Sequence, residues 1–218
     1  FGLLILLLIT LVIFSPILFI IVKGINKELF NILASTYLWE AIYNTLIICF
    51  FSGIASIFIV YNLLVLTHKK TKISESLIYS LIIFSPAVMA VGYYILLFKL
   101  NLMYLPNIII VIILNSFFVL PFTYNYLAPS FFRVIKENDD IANSLNLYGL
   151  SRFLTIDLPR LKKSLITAFC VSSILSASDL VVISFFGTNN LSTLTQTIYR
   201  LMGSYRMNEA YSVSLILL

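Results

Sequence analysis

Residues 1–22, FGLLILLLITLVIFSPILFIIV, decide the fold because they carry no charged side chain and are long enough to cross a bilayer. About 20 apolar residues in a helix span the roughly 30 Å hydrocarbon core. Residues 44–66, NTLIICFFSGIASIFIVYNLLVL, form a second such run. Neither run alternates at the period of two that is typical of a barrel strand. Both runs therefore predict membrane-spanning α-helices.

Composition extends this prediction to the whole chain of 218 residues, which is 61% hydrophobic and only 11% charged, with a mean hydropathy of +1.04. The fold class that this predicts is all-α, a polytopic transmembrane helix bundle of about six spans. The predicted spans are residues 2–23, 41–67, 77–98, 108–127, 165–187 and a last span from about 209. We expect Pro16, Pro86 and Pro121, which fall inside these spans, to kink their helices. The chain begins at Phe1 and its last span is short, so we expect it to be part of a longer polypeptide.

The Lys and Arg residues predict the orientation, because cytoplasmic loops of membrane proteins are enriched in them. More of them fall on one side: Lys69, Lys70, Lys72, Arg133, Lys136, Arg152, Arg160, Lys162 and Lys163. The other side holds Lys23, Lys27, Lys99, Arg200 and Arg206. Residues 128–164 are therefore predicted to be a cytoplasmic loop between spans four and five.

Other classes of function find little support in the sequence. The basic residues follow the loops and form no stripe interleaved with aromatic residues, so we expect no nucleic-acid partner. Cys49 and Cys170 lie in apolar runs without a second Cys or His at ligand spacing, and we expect no metal site. Phosphate-binding, zinc-protease and esterase motifs are absent from the sequence, so we expect no catalytic residue and no bound cofactor.

The longest polar interruption is DDIANSLNLYGLSRFLTIDLP, residues 139–159. Ile141, Leu145 and Tyr148 recur at the spacing that lines one face of a helix. Asp139 and Asp140 come first in this run, where carboxylates favour the positive end of a helix dipole. We predict a short amphipathic helix with an exposed apolar stripe.

The residues that follow predict where this helix stops and what comes next. Gly149 can supply the left-handed residue that ends a helix. A second helix is expected to begin at Ser151, and Pro159 limits the backbone hydrogen bonds beyond it.

An exposed apolar stripe needs a partner, either a membrane surface or another protein. Residues 137–148 contain Glu137, Asp139 and Asp140 and no basic residue, which disfavours an anionic membrane surface. The sequence therefore favours a protein partner.

This segment resembles the cytoplasmic signature loop of ATP-binding-cassette importer permeases. That pattern has Glu-Ala-Ala, three residues, Gly, nine residues and Ile-x-Leu-Pro. Here Asp140, Ile141 and Ala142 replace Glu-Ala-Ala, Asn146 replaces Gly, and Ile156, Asp157, Leu158 and Pro159 complete the pattern at the same spacing. Asn is among the few residues that tolerate positive φ. Either Asn146 keeps the turn that glycine normally makes, or Gly149 has taken it over.

The resemblance implies partners and a source of energy. The loop would be a coupling helix, with Asp140, Ile141, Ala142, Leu145, Asn146, Tyr148, Gly149, Ile156, Leu158 and Pro159 at or near the contact. The other side of that contact would be a cytoplasmic ATPase dimer, which binds ATP and Mg²⁺. A periplasmic substrate-binding protein and a second permease half, fused or separate, would complete an importer in the bacterial inner membrane. Residues 1–218 would be one transmembrane permease domain within the lipid bilayer.

The C-terminal region is similar to the bacterial thiamine permeases, which are related to the ferric-iron permeases. Ser176-x-x-Asp179, Phe186-Gly187 and Tyr199-Arg200 are shared loosely with the iron branch. Gly203-Ser204-Tyr205-Arg206, followed by Glu209, points towards the thiamine branch. In that family two six-span halves are fused, which would make this chain the C-terminal half. The resemblance implies import of thiamine or its phosphate esters, with ferric iron as the alternative cargo.

Asp179 lies inside the predicted fifth span, where a carboxylate is expected to face the bundle interior or a water-filled cavity. It is either a translocation-pathway residue that meets a cation, or a packing group bonded to Ser176, Ser178 or a polar group on a neighbouring helix. A secondary transporter or channel should carry several charges within its spans, and a purely structural membrane protein would use the loop only as a cap. The spacing of the signature loop favours the permease over both.

Overall fold

A computed structural model describes residues 2–67, 76, 78–81, 85–101, 106–147, 149–188 and 191–218. Within these ranges the chain forms helices and turns and no strand, which confirms the all-α prediction. The helices are α1 (Gly2–Gly24), α2 (Lys27–Leu33), α3 (Thr36–Thr67), α4 (Pro86–Lys99), α5 (Asn107–Ser144), α6 (Gly149–Arg152), a π-helical turn (Phe153–Asp157), α7 (Leu158–Ala177), α8 (Val181–Phe186), α9 (Leu194–Gly203) and α10 (Met207–Leu217).

Three helices in the described part of the chain are long and apolar enough to cross a membrane. They comprise Ile5–Gly24, Thr36–Thr67 and Asn107–Ala142, and α4 is a shorter apolar helix. Most of the α1 side chains are exposed, and Leu6, for example, is 69% exposed. An apolar surface of this extent is typical of contact with lipid or with another helix. The chain is a membrane protein, although the count of six spans stays a prediction.

The chain divides into two compact units, and the boundary between Thr45 and Leu46 falls within α3. In the unit formed by residues 1–45 and 187–218, α10 packs against α1, α2 and α9. A β-carbon on Gly24 would lie only 2.8 Å from Leu215 Cβ, so α1 and α10 pack closely at this point. The Ser212 hydroxyl donates to the Gly24 carbonyl over 3.1 Å.

The unit formed by residues 46–186 is built mainly on the packing of α5 against α7. Its core consists of buried apolar residues from α3, α5 and α7, among them Leu64, Leu127, Phe131 and Leu161. Hydroxyl pairs also join the helices: Ser52 donates to Ser176 over 2.6 Å and Thr123 to Ser56 over 3.2 Å. Such small polar residues allow close approach of membrane helices.

Two predicted spans are interrupted. Pro86 does not lie inside a helix covering 77–98, because Ser85 is extended and α4 begins at Pro86. Proline suits the first turn of a helix, where its missing N–H has no partner to lose. The span predicted at 165–187 is also wrong as one helix, since α7 ends at Ala177 and α8 begins at Val181. Asp179 lies in this break.

Span four, by contrast, is longer than the predicted range of 108–127. α5 runs without interruption for 38 residues, from Asn107 to Ser144, and contains Pro121 and Pro129. Residues 139–144 are thus helical, as predicted, but they form the end of a long helix and not a separate one. The dipole argument for Asp139 and Asp140 is therefore wrong, because both carboxylates lie near the C-terminus, which carries the negative end of the dipole.

Candidate coupling site

The turn after α5 depends on Asn146, which has a φ of 50°. The Leu147 N–H donates to the Ala142 carbonyl over 2.9 Å. A left-handed residue combined with this six-to-one hydrogen bond is the pattern of a Schellman C-cap. Asn146 therefore adopts the positive φ that glycine favours in such a turn.

Gly149 also has a positive φ, of 58°. Of the two possibilities left open by the sequence, the first holds: Asn146 makes the turn that ends α5, and Gly149 has a left-handed backbone of its own at the start of α6. A β-carbon on Gly149 would meet no atom within 4 Å, so its backbone conformation, not lack of space, favours glycine there.

The apolar stripe at the end of α5 is open. Ile141 is 51% exposed and Leu145 is 62% exposed, whereas Ala142 is fully buried and Asp140 is exposed. Tyr148, the third member of the predicted stripe, lies outside the described residues. The exposed pair presents an apolar surface that a partner can cover.

The part of residues 139–159 that follows the turn runs from Gly149 through the π-helical turn into α7. Ile156 is half-buried and packs against the core of its unit, whereas Leu158 and Pro159 are exposed. Pro159 does not end this helix: it lies in the first turn of α7, directly after the π-helical turn. The Leu158 N–H donates to the Phe153 carbonyl, five residues earlier, so the wider turn accommodates the proline.

Arg152 connects the end of α5 with the π-helical turn. Its Nη1 donates to Asp139 Oδ1 on α5 over 2.8 Å, and its Nε lies 3.8 Å from Asp157 Oδ1. The Arg152 side chain is 17% exposed and that of Asp157 only 3%. A buried carboxylate needs partners, because desolvation of the charge is costly. The positive charge of Arg152 thereby compensates both carboxylates, and its side chain holds the end of α5 against the π-helical turn.

Tyr61 ties this network to α3. Its hydroxyl donates to Asp157 Oδ2 over 2.6 Å. Its ring also contacts the Phe153 and Phe131 rings, with centroid separations of 4.8 and 5.8 Å. Residues 139–159, the signature segment, are thus fixed to α3 by one charge-assisted hydrogen bond and by one aromatic contact, that of Phe153, whereas Phe131 belongs to α5.

Asp157 and Tyr61 are the residues that sequence reasoning missed. Asp157 occupies the variable position of Ile-x-Leu-Pro, and Tyr61 lies 96 residues away in an apolar run. The sequence offered one signal for a buried Asp157, which is its position between the apolar residues Ile156 and Leu158. The pattern could not indicate which distant hydroxyl pairs with it.

Asp179, the other predicted residue, lies apart from this network. Its carboxylate accepts from the Val181 and Val182 N–H groups, both over 3.1 Å, and so caps α8. No hydrogen bond joins this carboxylate to Ser176 or Ser178 within the described ranges, but the Asp179 N–H donates to the Ser176 carbonyl over 3.3 Å. It also lines a cavity of about 210 Å³ with residues of α4, α5 and α7.

The predicted thiamine-branch residues near the C-terminus form a second tight turn. Tyr205 has a φ of 58° and is 88% exposed, and the Arg206 N–H donates to the Leu201 carbonyl over 3.0 Å. Arg206 donates twice to the Glu209 carboxylate, over 2.6 and 2.5 Å. The acidic residue after the turn therefore has a local role, fixing the start of α10.

Bacterial thiamine permeases are similar in sequence to this chain over most of its length, which agrees with the resemblance of its motifs to that family. A thiamine transport system permease protein of Escherichia coli is 30% identical over 218 residues, which covers 95% of this chain and 40% of the relative. The chain resembles bacterial thiamine permeases throughout. The thiamine permease of Haemophilus influenzae is 28% identical over 227 residues, covering 100% of this chain and 42% of the relative. That of Brucella abortus strain 2308 is 26% identical over 207 residues, covering 93% and 38%.

These thiamine permeases are longer than this chain, which spans about two fifths of their length. No protein-family model matches the chain. Among the described residues no group of three or more His, Cys, Asp or Glu residues is placed to hold a metal ion.

Proposed function

We propose that this chain is part of the permease of an ATP-binding-cassette importer, which moves thiamine or its phosphate esters into the cytoplasm. A periplasmic binding protein delivers the cargo, and a separate ATPase dimer with ATP and Mg²⁺ supplies the energy. The chain catalyses no reaction and lies in the inner membrane of a bacterium. A second permease half, fused or separate, completes the pathway, with residues 128–164 in the cytoplasm.

The observation that carries this proposal is the geometry of residues 139–159. The spacing of the signature loop coincides with a left-handed turn at Asn146, an open stripe of Ile141 and Leu145, and an anchor from Asp157 to Tyr61. The names of the relatives favour thiamine over ferric iron as the cargo.

Coupling would pass through two rigid connections. α5 is one helix of 38 residues, about 57 Å long at 1.5 Å per residue, so a displacement of Ile141 and Leu145 is transmitted along it. The second connection runs from Arg152 through Asp157 to Tyr61 on α3. Closure of the ATPase dimer would then move α3 and α5 together, as in rigid-body switching.

The test is reconstitution of the permease with candidate ATPase and binding protein. Thiamine-loaded binding protein should stimulate ATP hydrolysis and drive import. Leu145→Asp should abolish ATPase assembly or this stimulation, because a contact that buries Leu contributes about 1.5–3 kcal/mol and a buried unpaired carboxylate is strongly unfavourable.

The matched control is Lys136→Asp, which places the same carboxylate at an exposed position nine residues before Leu145, on the opposite face of α5. It should retain stimulation. Import that continues without ATP or without any ATPase subunit would exclude the proposed function.

A further inference from the structure

The cavity of about 210 Å³ beside Asp179 is lined by two kinds of group. Asn115, Ser176 and Asp179 are the polar residues of the lining, and the remaining residues are Pro86, Phe118, Val119, Phe122 and Leu175. All belong to the unit of residues 46–186. Since about 30 Å³ is the share of one water in the liquid, the space is sufficient for a ring of a small organic molecule.

Asn115 has an acceptor atom without a partner. The residue is 3% exposed, and its Nδ2 donates to Ser176 Oγ over 3.2 Å and to the Ser176 carbonyl over 3.5 Å. The carbonyl can only accept, so this orientation of the amide is fixed and Oδ1 faces away from Ser176. Oδ1 is buried and has no hydrogen-bond partner within the described ranges. An unsatisfied buried acceptor costs about 1–3 kcal/mol, but this atom has almost no accessible surface and so does not open onto the cavity. The polar residue of the lining that a bound molecule can meet is Asp179, which is only partly buried.

Asp179 adds a negative charge to the same lining. In the part of the chain that the structure describes, no Lys or Arg nitrogen lies within ion-pair distance of its carboxylate. The backbone N–H groups of α8 satisfy it partly, but a carboxylate has about four acceptor positions. Phe118 and Phe122 add aromatic faces, which attract cations.

We propose that this cavity binds an organic cation that carries a ring and N–H donors, as the cargo passes through the permease. Asp179 pairs with the positive charge, and Phe118 and Phe122 contact the ring. The inference rests on the proposed function and deepens it, since thiamine is a cation of this class. It also explains why a carboxylate is placed at the break between α7 and α8.

The experiment measures equilibrium binding of radiolabelled thiamine to the assembled permease and ATPase complex in detergent, without the binding protein. Asp179→Asn should weaken binding about ten- to a hundredfold, the usual effect of losing a charge-assisted contact. Asparagine caps helices as well as aspartate does, so α8 is retained.

Ser178→Ala is the matched control, because Ser178 adjoins Asp179, is exposed, and donates to its own helix at the Ile174 carbonyl. It should bind thiamine as the parent does, and equal thermal unfolding midpoints should show that all variants fold. Equal affinities of Asp179→Asn and the parent would overturn the site, as would absence of saturable binding to a parent complex that imports thiamine. A parent complex that imports no thiamine at all would overturn the proposed function as well.

Discussion

Tyr61→Phe removes one oxygen atom and tests the anchor between α3 and the signature segment. The lost hydroxyl donates to Asp157 Oδ2, and Asp157 Oδ1 already has no hydrogen-bond partner among the described residues. The buried carboxylate would then keep only Arg152, whose Nε is 3.8 Å away, too far for a hydrogen bond. A hydrogen bond to a charged group contributes about 1.5–3 kcal/mol, and we expect a destabilisation of that size. The ring contacts with Phe131 and Phe153 remain.

The assay has two readouts. Thermal unfolding of the detergent-solubilised permease should show a lower midpoint, and ATP hydrolysed per thiamine imported should rise because α3 no longer follows the segment. Tyr126→Phe is the control, since Tyr126 is 46% exposed and its hydroxyl makes no hydrogen bond within the described ranges. If Tyr61→Phe matched Tyr126→Phe in both readouts, the anchor would have no role in stability or coupling.

Further substitutions test other parts of the segment and the fold. Asn146→Val should destabilise the turn by about 1–2 kcal/mol, because β-branched residues disfavour positive φ. Asn146→Gly should be neutral or stabilising, because glycine adopts this conformation freely. Thermal unfolding midpoints and ATPase-binding affinities distinguish the two variants. Asp139→Asn should lower the free energy of unfolding by only about 0.5–1 kcal/mol, because Asp139 is 42% exposed and its ion pair with Arg152 is screened by solvent. The loss should be smaller at high salt, and an equal loss at all salt concentrations would contradict an ionic role. Gly24→Ala should lower the free energy of unfolding by about 1–3 kcal/mol, because the added methyl group would push α1 away from α10. An unchanged thermal unfolding midpoint would contradict the close packing of these two helices.

The helical class could be predicted because apolar runs of this length have few alternative structures in a membrane. Helix ends were harder to predict. α5 continues through polar residues to Ser144 since Arg152 and the C-cap at Asn146 stabilise its end, and both depend on residues after the helix. Pro86 begins a helix instead of kinking one, a distinction that a single proline in an apolar run does not reveal.

The candidate site was predicted in its local features and missed in its long-range ones. The stripe of Ile141 and Leu145 follows from spacing. The sequence left open whether Asn146 or Gly149 makes the turn, and the structure has Asn146 at positive φ. The Asp157–Tyr61 hydrogen bond joins residues 96 positions apart, and only the folded chain brings them together. The roles of these residues in coupling stay predictions.

The measurement that tests the central claim most directly is ATP hydrolysis by the reconstituted transporter, with and without thiamine-loaded binding protein. The parent should be stimulated by loaded binding protein, Lys136→Asp should behave as the parent does, and Leu145→Asp should show no stimulation or no bound ATPase. Full stimulation of Leu145→Asp would contradict the claim that energy enters this chain through the exposed end of α5.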